Sequence, residues 1–235
     1  MLRVDGLSRH FGSLAALADV SFSIRAGEIL GLIGPNGAGK TTLFECIAGV
    51  LPPSSGSVRL DGRPLSARER SRTLFYVPDA IAPWPAQRVD WALNFTIDFF
   101  GGRRDLFEEI IEGLDLAPLL RVRIGTLSKG QRKRVLLAMG LLTSQPILLA
   151  DEPFDGLDLR QTREAAAVLR AHAARGRTLF LSIHQIADAA RVCDRFVLLS
   201  GGRVCGEGTL EELTAASPGN AGVRATLEEV FLALT

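Results

Sequence analysis

Apolar residues along the chain fall into short runs broken by turn residues, and the spacing within each run assigns it to strand or helix. Up to about residue 62 the runs are β-like: Leu2–Val4, Asp19–Ile24 and Ser57–Leu60, the last closed by Asp61-Gly62. They predict an N-terminal antiparallel β subdomain. Ile29–Gly34 is apolar at nearly every position, the pattern of a strand buried on both faces. A glycine-rich loop follows, and Lys40–Gly49 then reads as a helix. Further strand-like runs come at Ile147–Ala150, Thr178–Ile183 and Phe196–Ser200, separated by helical patterns such as the alanine-rich Asp158–Arg175. Strands alternating with helices predict an α/β fold with a mostly parallel sheet.

The middle of the chain breaks this alternation. From about residue 83 to 142 the pattern is helical, and eight of the fifteen aromatic residues (Phe75, Tyr76, Trp84, Trp91, Phe95, Phe99, Phe100 and Phe107) lie in one 33-residue window. This reads as an α-helical subdomain inserted between two strands of the sheet. Trp91, Phe95 and Phe99 fall at i, i+4 and i+8, one helix face, and the default expectation is that they form its core. After Gly201-Gly202, a hairpin-type turn, the chain passes Ser217-Pro218-Gly219-Asn220 into a short last helix, about 226–235. There Thr226 and Glu229 make a capping box, and Leu227, Val230, Phe231 and Leu234 form one apolar face. No repeat or low-complexity tract divides residues 1–235, so the expectation is a single domain.

Composition narrows the class. Of the 235 residues 47% are hydrophobic and 23% charged, which excludes a disordered or fibrous chain. Twenty-seven basic and twenty-six acidic side chains leave a net charge of +1, so no global field recruits nucleic acid. Only Lys40, Lys129 and Lys133 are lysines; the arginine excess reflects genome composition more than function. Three dispersed cysteines (Cys46, Cys193, Cys205) fit neither a disulfide framework nor a zinc site, pointing to a reducing cytosol. The first residues lack the apolar core of a signal peptide. The most apolar long stretch, Val135–Ala150, is interrupted and shorter than the roughly 20 residues of a membrane helix, so no span is expected.

The strongest chemical signal is Gly34-Pro35-Asn36-Gly37-Ala38-Gly39-Lys40-Thr41, a match to G-x-x-x-x-G-K-S/T between an apolar strand and a helix. Glycines let successive N–H groups converge on phosphate oxygens, the helix N-terminus adds its positive end, and Lys40 neutralises charge on the β- and γ-phosphates. The Thr41 hydroxyl is placed to ligate Mg²⁺, and Thr42 extends the binding segment. A P-loop NTPase core is therefore expected.

Such a site needs an acid to hold Mg²⁺ and a group to act on the attacking water. Ile147-Leu148-Leu149-Ala150-Asp151-Glu152 supplies two adjacent carboxylates at a buried strand's mouth, where a cation must offset their repulsion. Asp151 suits the metal and Glu152 the water. The plainer alternative has them as turn residues leading to the Asp158 N-cap. Ser128-Lys129-Gly130-Gln131 also reads two ways. Ser128 and Gln131 form a capping box for a helix through Leu142. Yet Gly130 in the first turn costs up to about 1 kcal/mol relative to alanine, so something must approach the backbone closely. Six basic residues and no acid lie between Arg121 and Arg134, making this helix start a second phosphate-binding candidate.

With these motifs in this order, nearly the whole chain resembles the nucleotide-binding subunit of an ATP-binding cassette (ABC) transporter. The resemblance implies that Ser128, Gly130 and Gln131 contact the γ-phosphate held by a partner's P-loop, with Lys129 where a glycine is more usual. It assigns Gly156-Leu157-Asp158 to the D-loop, with Asp158 at the shared site, and His184 to the γ-phosphate; His10 and His172 stay structural. It implies an aromatic ring stacked on adenine, for which Phe11 before Gly12 fits, with core packing as the alternative reading. It places a glutamine after Leu74–Pro78 to touch Mg²⁺, where this chain has Asp79; Gln87 lies eight residues too late to replace it. It also makes the helical subdomain the groove for a cytoplasmic helix of the membrane partner. The tail Leu227-Glu228-Glu229-Val230-Phe231 resembles exporter-type cassettes.

The resemblance thus implies an ATPase using ATP and Mg²⁺, with Lys40, Glu152 and His184 at the reacting phosphate. Its partners would be a second nucleotide-binding subunit and a transmembrane permease, at the cytoplasmic face of the cell membrane. The competing class is a non-transport cassette clamp acting on ribosome or DNA. Such clamps carry a second cassette, a coiled-coil insertion or a basic arm, and the sequence has none of them.

Overall fold

Two antiparallel strands open the chain, β1 (Leu2–Phe11) and β2 (Leu14–Ile24), both longer than the sequence runs. Their outer halves carry polar or half-exposed residues with register shifts, so alternation is blurred there and only the ladder reveals the strand. β3 (Ile29–Ile33) leads to the glycine-rich loop and α1 (Lys40–Ala48), and the chain returns as β4 (Ser55–Leu60) and β5 (Arg63–Pro64). The first sheet has order β2-β1-β4-β5 and is antiparallel throughout. The computed structural model describes residues 1–79, 81–216 and 226–234.

Next come α2 (Ala67–Thr73), β6 (Leu74–Val77), α3 (Val89–Phe100), α4 (Phe107–Gly113), α5 (Lys129–Leu142) and β7 (Ile147–Asp151). Then follow α6 (Leu159–Ala174), β8 (Thr178–Ser182), α7 (Ile186–Val192), β9 (Arg195–Ser200) and β10 (Arg203–Gly208). Last are α8 (Leu210–Ala216) and α9 (Leu227–Leu234). The second sheet has order β10-β9-β3-β8-β7-β6; every pairing is parallel except the β9–β10 hairpin. The helical stretch is inserted between β6 and β7, as expected.

Strand periodicity sends alternate side chains of this sheet into two cores. Leu30, Leu32, Leu149, Phe180 and Val197 face the first sheet and α1, where Phe44 meets the Phe180 ring edge-on at 4.8 Å. Ile29, Ile33, Leu148, Leu179, Leu181 and Leu198 face the helices, packing with Leu93, Ile97 and Leu137. Because both faces are covered, the carboxyl ends of β3, β7 and β8 are the rim where loops bear the chemistry.

The aromatic stripe corrects one expectation. The core face of α3 is Val89, Ala92, Leu93, Thr96 and Ile97, whereas Trp91, Phe95 and Phe99 stand on its outer face, with Phe99 69% exposed. Trp91 and Phe95 stack at 5.2 Å and Phe95 and Phe99 at 5.6 Å, while Trp84 meets Trp91 edge-on. The helix is apolar on both sides, so periodicity alone did not say which side was buried. The capping box of Thr226 and Glu229 is present, and Leu227 and Val230 are buried. Segment 217–220 and the Leu234 side chain lie outside the described residues.

His172 on α6 is 3% exposed, and its Nε2 has no hydrogen-bond partner. Burial, with Arg177 and Arg175 adding to it, pushes its pKa down from 6.5 to about 4. The unfolded chain therefore binds the extra proton between those values. This contribution to stability is complete above pH 6.5 and is lost as pH falls towards 4, on the order of 1–2 kcal/mol by pH 5. In urea titrations at pH 7 and 5, His172→Leu should show a smaller loss of midpoint than the parent; equal losses would assign the acid sensitivity to other groups.

Candidate functional site

The loop after β3 is shaped by close approaches. Gly39, the N-cap of α1, sits at φ 102°, and a Cβ there would lie 2.6 Å from the Ala16 carbonyl oxygen, so only glycine fits. It brings no side chain to cap the helix, which leaves the first N–H groups directed at the loop. The β9–β10 turn braces the loop from behind: the Gly202 N–H donates to the Ala38 carbonyl (3.1 Å), and its carbonyl accepts from Ala18 N–H (2.8 Å). Lys40 is buried and donates through Nζ to the carbonyls of Gly34 (2.8 Å) and Pro35 (3.3 Å).

Pro35, Asn36, Gly37, Ala38, Gly39, Lys40, Thr41 and Thr42 line an open cavity of about 510 Å³, with Phe11, Glu152 and the Gly201-Gly202 turn on its walls. Phe11 is 46% exposed, and the Arg9 guanidinium lies 4.7 Å from its ring centroid. The core-packing alternative for Phe11 is thereby removed. The ring offers an accessible π-face at the cavity rim.

The end of β7 reaches the same cavity. Thr41 Oγ1 donates to Asp151 Oδ2 at 2.7 Å, and Ser182 Oγ, at the end of β8, donates to Asp151 Oδ1. Asp151 is 1% exposed, so these two hydroxyls replace most of the water it gave up. A carboxylate and a threonine hydroxyl held together at a phosphate loop are the hard oxygen donors that Mg²⁺ takes. Glu152 follows at φ 49°, a left-handed conformation that costs about 1–3 kcal/mol in a non-glycine residue and clusters at functional sites. Its N–H donates to Ser182 Oγ at 2.9 Å. Glu152 and Asn36 also line an adjoining cavity of about 290 Å³ with Ser182 and His184. Phe11, Lys40, Thr41, Glu152 and His184 thus line two neighbouring cavities, and Asp151 stands behind them, bonded to Thr41.

The signature segment is not. Ser128 N-caps α5 and shares a capping box with Gln131, and Asp158 does the same for α6 with Gln161. None of Ser128, Gly130, Gln131 and Asp158 lines either cavity. The close neighbour that Gly130 requires lies within the chain: a Cβ there would stand 2.3 Å from the Gly156 carbonyl oxygen. Three of the six cations are also engaged internally. Lys129 pairs with Asp155, Lys133 with Asp79, and Arg134 donates to the Leu114 and Asp115 carbonyls. Ser128 and Gln131, which are not buried, remain the groups turned outward at this helix start.

Asp79, expected at the metal, forms an ion pair with Lys133, its Oδ1 2.5 Å from Nζ. Its carboxylate, Glu152 and Asp155 offer oxygens within 4.8 Å of one another. Lys129 and Lys133 offset that crowding. Ser182 and Asp155 escaped the sequence reading, and Lys133 entered it only as one of the six cations around the start of α5. The one available signal was the lone hydroxyl of Ser182 in the apolar run Leu179–Ile183.

The family model described as "ABC transporter" matches residues 17–155, a span that takes in the phosphate loop and the paired acids. The chain belongs to the ABC transporter family. As a cassette of that family it is an ATP-binding P-loop ATPase. It is 37% identical over 215 residues to a hemin import ATP-binding protein of Pseudomonas entomophila, covering 86% of this chain and 84% of the relative. It is 32% identical over 219 residues to the Nod factor export ATP-binding protein I of Burkholderia orbicola, covering 91% of this chain and 72% of that one. A solved ATP-binding subunit of an ABC transporter superposes with a TM-score of 0.89 at 30% identity, over 100% of this cassette and 99% of that chain.

Proposed function

We propose that this cassette binds Mg·ATP between two copies, or between itself and a paralogue, and that hydrolysis drives a separate membrane permease at the cytoplasmic face of the cell membrane. The observation that carries the two-chain reading is the division of the site. One chain lines the two cavities at the phosphate loop with Phe11, Lys40, Thr41, Glu152 and His184, with Asp151 bonded to Thr41, while Ser128, Gly130, Gln131 and Asp158 lie outside those cavities. Each half completes the other if two chains close head-to-tail.

In such a site Phe11 stacks the base, and the loop N–H groups and Lys40 hold the phosphates. Thr41 and Asp151 would hold Mg²⁺, with Asp79 the weaker candidate because Lys133 occupies it. When bound, the ion supplies charge neutralisation at the β- and γ-phosphates. Glu152 accepts the proton of the attacking water, and His184 donates to a γ-phosphate oxygen, stabilising the charge that develops there. The partner's Ser128 hydroxyl reaches the same phosphate.

No helix among the described residues is long and apolar enough to cross a membrane; in this reading the permease supplies the spanning helices. The exposed stack of Trp84, Trp91, Phe95 and Phe99 fits an apolar helix of that permease. Relatives are named for import and for export alike, and export is favoured here by the tail Leu227-Glu228-Glu229-Val230-Phe231 alone.

Mixing two inactive variants tests the shared site. In a head-to-tail dimer of Lys40→Ala with Ser128→Arg chains, one composite site carries both defects and the other carries none. The mixture should recover hydrolysis that neither variant shows alone. Mixed dimers that form without recovering activity would overturn the shared site.

A further inference from the structure

Lys133 lies on the second turn of α5, 5% exposed, and its ammonium makes two contacts. It pairs with Asp79 just past the end of β6, and it donates to the Asp151 main-chain carbonyl at 3.0 Å. That carbonyl belongs to the peptide joining Asp151 to Glu152. The N–H of the same peptide donates to Ser182 Oγ at 2.9 Å. The peptide plane is therefore held at both ends, by Lys133 on one side and Ser182 on the other. From it Glu152 projects at a φ of 49°, a conformation that persists only where surrounding contacts enforce it.

Neighbouring contacts run along the same helix face. Lys129, one turn earlier, pairs with Asp155, and Gly130 lets the Gly156 carbonyl lie against the backbone. The first two turns of α5 thus grip the whole segment 151–156, the segment that carries Glu152. The choice of residue fits this geometry. In a chain with 27 basic residues of which three are lysine, a lysine stands at this buried position. Its single ammonium nitrogen serves both the Asp79 carboxylate and the Asp151 carbonyl.

We infer that Lys133 is a positioning residue for hydrolysis: it fixes the Asp151–Glu152 peptide, with Asp79 as its counter-charge, and so ties the helix that begins at Ser128 to the carboxylate facing the water. This rests on the reading of Glu152 as the group that acts on water. Asp79, in the place of the usual glutamine, then serves Lys133. A displacement of α5 reaches Glu152 through one hydrogen bond.

The test compares turnover with Mg·ATP affinity in folded cassettes, checked by thermal melting. Lys133→Met removes the donor and the charge, and should lower kcat roughly 10- to 100-fold. The dissociation constant for Mg·ATP should change less than about threefold, because residues 34–42 are untouched. Two neutral pairs separate positioning from charge balance, and they also serve if the single variant fails to fold. Asp79→Asn with Lys133→Gln keeps a donor for the Asp151 carbonyl and should turn over several-fold faster than Asp79→Asn with Lys133→Met, which lacks one and shares the same change at Asp79. Equal kcat in the two pairs, or an unchanged kcat in Lys133→Met, would overturn the inference. A parent cassette inert towards Mg·ATP would instead remove the hydrolytic reading on which it rests.

Discussion

Replacing Glu152 by glutamine is expected to cut ATP turnover by roughly 10²–10⁴-fold, the usual contribution of a positioned general base. Glutamine is nearly isosteric, so the φ of 49° and the N–H bond to Ser182 Oγ at 2.9 Å have no reason to change. What is lost is the ability to take a proton from water. Nucleotide affinity should persist, because the phosphate loop and the Thr41–Asp151 pair are intact. If two chains close over the nucleotide, the variant should then accumulate with ATP as a stable dimer, visible by gel filtration with radiolabelled ATP retained in the dimer peak. Turnover within a few-fold of the parent would remove Glu152 from the role assigned to it.

Lys40→Ala should act at the preceding step. The ammonium is buried at the base of the loop, 2.8 Å from the Gly34 carbonyl, with no carboxylate among its hydrogen-bond partners. A hydrogen bond to a charged group contributes about 1.5–3 kcal/mol, so its loss corresponds to roughly 10- to 100-fold weaker Mg·ATP binding. Removing a cation from beside bound phosphates also leaves their charge less well neutralised, so turnover should fall with affinity. Equilibrium binding of a fluorescent ATP analogue to the folded variant measures the first effect directly. Unchanged affinity would mean that the loop N–H groups suffice and that Lys40 has another task.

The two substitutions differ in what they separate. Glu152→Gln preserves binding and stops chemistry, whereas Lys40→Ala weakens binding first. A cassette in which both left affinity and turnover untouched would not use residues 34–42 to hold a triphosphate.

The β3–loop–α1 unit was legible because its chemistry is local: glycines, a lysine and a threonine at fixed spacing, bounded by a buried strand and a helix. The Asp151-Glu152 pair was legible for the same reason, as charge at the end of a five-residue strand buried throughout. Helix caps at Ser128, Asp158 and Thr226 were also readable, since a capping box spans four residues. Other features were not. β1 and β2 extend well beyond their alternating cores because ladder hydrogen bonds, which carry no side-chain signature, continue past them. The outer face of α3 carries more aromatic surface than its buried face, and a hydropathy pattern has no term for which of two apolar faces meets a neighbour.

The amino-acid order alone determined the phosphate loop, the acids at the mouth of β7, the alternating architecture and hence the family, because each depends on residues adjacent in the chain or one helical turn apart. Only the folded chain decided that Gly130 accommodates Gly156, that Ser182 supports Asp151, and that Lys133 joins Asp79 to the peptide of Glu152. Those partners are separated by 26 to 54 positions along the chain, except Lys133 and Asp151 at 18. Contacts of that kind are created by strand order and helix packing. They have no local pattern to betray them.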